Sequence, residues 1–381
     1  MSALSLELSF SVVIIMIGPS LTSTAATNMD AAYLSVYTAL SENANNVDRI
    51  TTDQGPCGIA VSESDNMLYV SNHKAKSLSV IDGSTSRVIS DIEVPGIPCG
   101  LAIDPKRNAV YVINEGGHEI YSIDRATHTI VDMFNVDFPY EMVVITDTDT
   151  LYVTSDDIDK VYAIDSTTKQ TVASFDIPDP CGITANPETN IVYVSSESTG
   201  QVHMIDAVTN KLIDSVPVGQ GPRGMAFNLE TNTLFVANTG SDSVSVIDGA
   251  SNKVISTIEV DKAPTRIAVN PNTNVAYVIS SSQNTLNFLD ASTNSVIASV
   301  PVQNPYEVAV DSDKNLVYVS NVNSDFVYAI KGFELESSSS LASFTVIMAM
   351  VGIAAGAGLL AVLWRRIRRQ RTQQGADSAP D

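Results

Sequence analysis

Short runs of alternating apolar and polar residues, separated by turn-forming residues, fill the middle of the chain. In the clearest stretch the runs are GMAF (224–227), TLFVA (233–237), SVSVID (243–248) and KVISTIEV (253–260). Alternation that is rich in β-branched residues is typical of β-strands with one buried face. The pattern therefore predicts four short strands in succession, joined by tight turns.

This four-strand pattern recurs seven times. Each unit opens with a proline, at Pro56, Pro98, Pro139, Pro180, Pro222, Pro264 and Pro305. Thirteen residues later comes an aromatic residue followed by valine, at Tyr69, Tyr111, Tyr152, Tyr193, Phe235, Tyr277 and Tyr318. Thirteen further on, six units have an aspartate, at Asp82, Asp124, Asp165, Asp206, Asp248 and Asp290. Four strands per unit of 41 or 42 residues predict a seven-bladed β-propeller.

The last unit is one strand short, because it ends at Lys331 and Gly332. Residues 46–52 keep the same spacing to Pro56 that residues 88–94 keep to Pro98. We therefore expect the N-terminal segment to supply the outer strand of the last blade. Such closure leaves no gap with unpaired strand edges. The predicted fold class is all-β: a closed propeller of four-stranded blades over residues 46–333, with one C-terminal transmembrane helix.

The segments YVSN…LSVIDGSTSRVISDIEV and NPNTNVAYV resemble the YVTN-type β-propeller repeats of archaeal surface-layer antigens and related extracytoplasmic proteins. The resemblance covers residues 46–331. It implies a propeller displayed outside the cytoplasm. The asparagine after the second strand is kept at Asn72, Asn114, Asn238 and Asn321, and is replaced by serine in the other three units.

Two apolar segments predict how the chain meets the membrane. Residues 8–17 form an apolar run too short to span a bilayer, so residues 1–26 fit a signal peptide. Residues 341–364 are uncharged and long enough to span, and the arginine-rich tail 365–381 follows. By the positive-inside rule the tail is cytoplasmic and the propeller lies outside. Residues 27–45 are left as a tether, and residues 334–340 as a serine-rich linker.

Charge and membrane-span composition constrain the partners. Residues 27–340 contain 16 basic and 40 acidic side chains, a net charge of −24. An acidic body repels phosphate backbones, so nucleic acid is excluded as an expected partner. Gly352 and Gly356 form a GxxxG pair in the predicted span, so a helix-mediated dimer is a hypothesis.

The residues after each blade-opening proline are predicted to form a ring around the mouth of the central channel. All three cysteines stand at the first ring position, as Cys57, Cys99 and Cys181. Cys57 and Cys99, in neighbouring blades, could approach disulfide distance. The remaining ligand-binding candidates are Tyr140, Glu141, Arg223, Arg266, Tyr306 and Glu307. The charged members are predicted to form ion pairs or to bind a small charged ligand.

Acidic loops on the same face suggest a second kind of site. Asp156, Asp157 and Asp159 lie in one loop after a second strand, so a weak calcium site is a hypothesis. A solvated acidic loop is the competing interpretation. For the aspartates that recur in each unit, the predicted role is to accept hydrogen bonds from the turn between strands three and four.

No catalytic constellation is recognisable in the sequence. The nucleophile elbow GxSxG and a glycine-rich phosphate loop are absent, and none of the four histidines falls on the ring. The sequence therefore favours a membrane-anchored, non-catalytic recognition, adhesion or scaffold module that binds a cell-envelope protein or glycan. Two alternatives stay open: a hydrolase or lyase with a divalent metal on the acidic face, and a copper- or redox-handling protein that uses the three cysteines.

Overall fold

The computed structural model describes residues 47–333. These residues form seven antiparallel β-sheets, each with four strands. The N-terminal strand is β1 (Val47–Thr51). Blade 1 contains β2 (Pro56–Ser62), β3 (Met67–Asn72), β4 (Ser77–Asp82) and β5 (Arg87–Glu93). Blade 2 contains β6 (Pro98–Asp104), β7 (Ala109–Asn114), β8 (Glu119–Asp124) and β9 (Thr129–Asn135). Blade 3 contains β10 (Met142–Ile145), β11 (Thr150–Ser155), β12 (Lys160–Asp165) and β13 (Thr171–Asp176), with a 3-10 turn at Asp156–Ile158.

The remaining blades repeat the same order. Blade 4 contains β14 (Pro180–Asn186), β15 (Ile191–Ser196), β16 (Gln201–Asp206) and β17 (Lys211–Pro217). Blade 5 contains β18 (Pro222–Asn228), β19 (Thr233–Asn238), β20 (Ser243–Asp248) and β21 (Lys253–Glu259). Blade 6 contains β22 (Pro264–Asn270), β23 (Val275–Ser280), β24 (Thr285–Asp290) and β25 (Ser295–Pro301). Blade 7 contains β26 (Pro305–Asp311), β27 (Leu316–Asn321) and β28 (Phe326–Lys331).

Blade 7 is completed by the N-terminal strand, as predicted. The sheet order is β1-β28-β27-β26, and β1 runs antiparallel to β28 with Ile50 opposite Val327. Ile50 and Val327 share a core cluster with Leu68 and Val70 of blade 1. The first and last blades therefore bury a common apolar interface, so the ring is closed by both hydrogen bonds and packing.

The aromatic residue of each second strand is the centre of the packing between blades. All seven of these side chains are at most 1% exposed. Several of their hydroxyls also reach the following blade: Tyr152 donates to Asn210 Oδ1 at 2.6 Å, and Tyr111 accepts from Lys169 Nζ at 2.8 Å. A buried tyrosine hydroxyl needs such a partner, and here the bond joins two blades.

The recurring aspartates have the structural role that the repeat suggests. In the turn after β8, Asp124 Oδ1 accepts backbone N–H groups of Ala126 at 3.0 Å and Thr127 at 2.7 Å. The hydrogen bond from the Thr127 backbone N–H is the main reason that the pKa of Asp124 is lowered. Equivalent turn bonds occur in the other five units that have the aspartate. These carboxylates therefore stabilise turns.

The expectations for the chain termini lie outside the described residues. They concern the signal peptide 1–26, the tether 27–45, the linker 334–340, the transmembrane helix 341–364, the tail 365–381 and the Gly352–Gly356 dimer motif. Within residues 47–333, no helix is long and apolar enough to cross a membrane.

Candidate functional site

The first strands of the blades line the central axis, because each contacts the first strands of its two neighbours. In most blades the pairing of the first strand with the second shifts register just after the opening proline, for example between Pro56 and Ile59. A bulge at this point turns the next residues away from the regular alternation. It places the predicted ring positions at one end of the channel.

Serine and threonine hydroxyls of the second strands hold this ring in place. Ser71 Oγ accepts from the Gly58 N–H at 2.9 Å and donates to the Cys99 carbonyl of the next blade at 2.6 Å. The same bridge recurs at Thr154, Ser195 and Ser320. In the sequence, each of these serine or threonine residues directly follows the aromatic-valine pair. Only the fold, however, shows that their hydroxyl groups contact the next blade.

In blades 1 and 4, glycine at the second ring position lets the first strand lie close to the backbone of the next blade. A Cβ on Gly58 would lie 2.1 Å from the carbonyl oxygen of Cys99, and a Cβ on Gly182 would lie 2.1 Å from that of Arg223. Blades 2 and 5 also have glycine here, as Gly100 and Gly224, whereas blades 3, 6 and 7 have Glu141, Arg266 and Glu307. Their long side chains therefore make up the charged part of the mouth.

Two of the three ring cysteines are bonded to each other. Cys57 and Cys99 form a disulfide with their Cα atoms 5.4 Å apart. The bond joins blades 1 and 2 at the mouth of the channel. Cys181 is a free, buried thiol, and burial is the main reason that its pKa is raised to about 12. Cys181 is thus not part of this disulfide.

A charged triad crosses the mouth of the channel. Arg266 of blade 6 lies 2.9 Å from Glu141 of blade 3 and 3.0 Å from Glu307 of blade 7. Arg266 is only 8% exposed. Burial raises the pKa of Glu307 to about 7, against the opposing effect of Arg266, and Glu141 adds to the increase. The predicted ion pairs of these three residues are thus present.

Arg223, the fourth charged residue predicted at the mouth, has a partner outside the triad. Arg223 pairs with Glu197 at 2.9 Å, rather than with Glu141 or Glu307. Glu197 follows β15, so its loop rises on the same side of the ring. Glu197 is outside the predicted ring positions, and the repeat spacing does not reveal this pair because the partners belong to neighbouring blades.

A cavity of about 160 Å³ lies at the mouth, and most of the predicted ring contributes to it. Its polar lining includes Tyr140, Glu141, Arg266, Tyr306 and Glu307. The Tyr306 hydroxyl lies 3.7 Å from Cys99 Sγ, and it must be the donor because a disulfide sulfur has no proton. Ile59, Leu101 and Met142 form an apolar part of the wall.

Glu115 also lines the cavity and was not among the predicted ring residues. Its backbone is fixed by a hydrogen bond from its N–H to the Ile97 carbonyl at 2.8 Å. Among the described residues, its carboxylate has no hydrogen bond or ion pair. Burial raises the pKa of this carboxyl group. The feature of the sequence that could have identified Glu115 is its position directly after a second strand, on the same face as the ring.

The carboxylates of the predicted calcium loop do not converge. Asp159 Oδ1 accepts the Asp179 N–H at 2.7 Å, and Asp156 Oδ1 accepts the Asp157 N–H at 3.0 Å. Burial and the nearby Asp157 raise the pKa of Asp156. In residues 47–333, the three-ligand group compatible with a metal ion is Cys57, Cys99 and Glu115, whose ligand atoms lie within 4.8 Å of one another. Calcium binding at the loop stays a prediction.

The fold is similar to that of two solved structures. Kuenenia stuttgartiensis hydrazine synthase matches with a TM-score of 0.66 and 19% identity, covering 74% of this chain and 97% of that one. A streptogramin B lyase matches with a TM-score of 0.64 and 16% identity, covering 74% and 96%. No protein-family model and no curated protein sequence matches the chain. These identities show the fold alone: the protein is a seven-bladed β-propeller, and its function has to be argued from the site.

Proposed function

We propose that this chain is a membrane-anchored, extracytoplasmic β-propeller of the YVTN type that acts as a non-catalytic recognition module of the cell envelope. The observation that carries the proposal is the channel mouth. There, a disulfide and a charged triad fix the walls of a cavity from several blades. A rigid concave site of this kind is suited to binding a ligand.

The disulfide supports the extracytoplasmic part of the proposal. Structural disulfides form and persist in oxidising compartments and are rare in the cytosol. The apolar segment 341–364 and the arginines that follow it support one orientation, with the propeller outside.

The chemistry of the mouth favours binding over catalysis. Arg266 and its two carboxylate partners hold one another in ion pairs, and no histidine is among the residues that line the described cavity. The metal-dependent hydrolase or lyase and the copper- or redox-handling protein are the competing functions. The observation that bears on the copper- or redox-handling function is that both sulfurs of the Cys57–Cys99 bond lie near Glu115.

Protease added to intact cells that express the full chain tests the orientation. We expect the propeller to be removed and the arginine-rich tail to be spared. Mass spectrometry of unreduced material should recover the Cys57–Cys99 linkage. A protected propeller, or thiols at both positions in freshly alkylated cells, would contradict the extracytoplasmic assignment.

Binding of the purified full chain to native cell-envelope fragments tests recognition. We expect saturable binding that survives chelation of divalent metal ions. The variant Arg266→Met, which breaks the triad and removes the one positive charge of the cavity lining, should alter the affinity of this binding, whereas Lys253→Met at the exposed outer edge of blade 5 should not. Equal binding by both variants would show that the channel mouth is not the recognition site.

A further inference from the structure

The channel-mouth cavity contains more negative than positive charge. Three carboxylates line it, those of Glu115, Glu141 and Glu307, and Arg266 is the one basic side chain among its lining residues. Arg266 is shared between Glu141 and Glu307. Glu115 has no ion-pair or hydrogen-bond partner for its carboxylate among residues 47–333. An unpaired carboxylate in a desolvated site favours a cation from solution.

Both carboxylate oxygens of Glu141, in contrast, have partners within the protein. Its Oε1 atom is buried and lies 2.9 Å from Arg266 Nη2 in the ion pair. The Ile183 N–H donates to the other carboxylate oxygen at 3.3 Å. Glu115 is therefore the cavity carboxylate that remains available to a ligand.

The spread of the carboxylates distinguishes between kinds of cation. A hard metal ion needs several oxygen ligands at close range. In residues 47–333, the three cavity carboxylates do not form a group whose ligand atoms lie within 4.8 Å of one another. The group that does meet this distance contains Cys57 and Cys99, whose sulfurs are bonded to each other and offer no thiolate. A compact metal ion is thus poorly matched to the cavity.

The uncharged part of the wall indicates what surrounds the positive charge of the ligand. Ile59, Leu101 and Met142 provide apolar surface, and Tyr140 and Tyr306 provide aromatic rings with hydroxyl groups. Aromatic rings attract cations through their electron-rich faces. The Arg266 guanidinium already lies 5.8 Å from the centre of the Tyr306 ring. This combination suits an ammonium group with a short aliphatic body.

We propose that the channel-mouth cavity binds a small alkylammonium compound, with Glu115 as its principal counter-charge and the Tyr140 and Tyr306 side chains beside it. The proposal rests on the recognition function above and specifies its ligand class. The cavity volume of about 160 Å³ limits the compound to a few carbon atoms. Its ammonium group donates to the Glu115 carboxylate, and its methylene groups contact the apolar wall.

Isothermal titration calorimetry of the purified full chain with propylammonium chloride and with 1,4-diaminobutane tests the proposal. We expect saturable binding of at least one of these amines at one site. Propanol, which lacks the charge, and propionate, which reverses it, should not bind. Calcium chloride added at the same concentration should not displace the amine.

The matched variants are Glu115→Gln and Glu188→Gln, which change the net charge equally. Glu188 is exposed and lies between β14 and β15, at the opposite end of the blade from the mouth. We expect Glu115→Gln to weaken amine binding about tenfold or more, as the loss of a charged hydrogen bond does, and Glu188→Gln to leave it unchanged. No amine binding, equal weakening in both variants, or displacement by calcium would overturn the proposal. Any of these results would leave the envelope-binding and protease tests of the proposed function standing.

Discussion

Ile50 lies directly opposite Val327, so the first described strand and the last one belong to the same sheet. Ile50 is 2% exposed, and Val327 is fully buried. Both contact a core that also contains residues of blade 1. The closure of the ring therefore depends on an apolar contact at β1 as well as on backbone hydrogen bonds.

Replacing Ile50 with alanine should weaken this closure. Removing a buried isoleucine side chain to alanine typically costs about 2–5 kcal/mol of unfolding free energy. Urea unfolding of the purified protein measures the loss. Asp48→Ala is the matched control, because Asp48 is an exposed residue of the same strand. If the two variants unfold at the same urea concentration as the unmodified protein, the last blade does not depend on β1 for its stability.

The architecture could be read from the sequence because the repeat is strict. The spacing of prolines and aromatic-valine pairs predicts the number of blades, and the spacing of residues 46–52 to Pro56 predicts the closing strand. In blade 5 the strand predicted at residues 243–248 is β20 (Ser243–Asp248), with the same bounds. Because every unit repeats the same spacing, a strand boundary that is ambiguous in one unit can be assigned from the others.

The site was less predictable because its contacts join blades that are far apart in the chain. Repeat position alone brings Glu141, Arg266 and Glu307 to one ring, but the partner of each charge depends on side-chain reach across the channel. Arg223 consequently has a partner, Glu197, that lies outside the ring positions. Glu115 was missed for the same reason: its loop turns it into the cavity, which spacing within one unit cannot show.

The Cys57–Cys99 disulfide should contribute measurably to stability. It links residues 42 positions apart, and native disulfides typically add about 2–4 kcal/mol, in part by restricting the unfolded chain. We expect dithiothreitol to lower the melting temperature of the unmodified protein and of Cys181→Ala. The double variant Cys57→Ala/Cys99→Ala should melt early and show no further effect of the reductant. A reductant effect that persists in the double variant would contradict this assignment.

His203 should make the protein sensitive to mild acid. Both ring nitrogens are buried and have no hydrogen-bond partner among the described residues, and burial lowers the pKa of this imidazole. The folded state therefore binds the proton less readily than the unfolded state, whose histidine pKa is about 6.5. The stability contribution is present above about pH 6.5 and is lost as the pH falls below it.

Tyrosine occupies the position of His203 in blade 3, as Tyr162. We expect His203→Tyr to reduce the loss of stability between about pH 7 and pH 5, measured by urea unfolding. The reciprocal variant Tyr162→His should increase that loss. An unchanged acid response in both variants would show that this position does not control it.

Glu307 should have the opposite dependence on pH. Its pKa of about 7 in the folded protein is raised from 4.5, mainly by burial. Between these two values the folded state binds more protons than the unfolded state. The stability contribution of this carboxyl group is therefore fully present below about pH 4.5 and is lost as the pH rises through about 7.

We expect Glu307→Gln, which cannot ionise, to lose less stability than the unmodified protein when the pH is raised from about 5 to about 8. Glu188→Gln at the exposed end of blade 4 controls for the change in net charge. The measurement is the free energy of urea unfolding at each pH, and the informative quantity is the difference between variant and unmodified protein. If Glu307→Gln and Glu188→Gln alter the pH response equally, Glu307 is not the titrating group at the channel mouth, and its pairing with Arg266 keeps it ionised throughout.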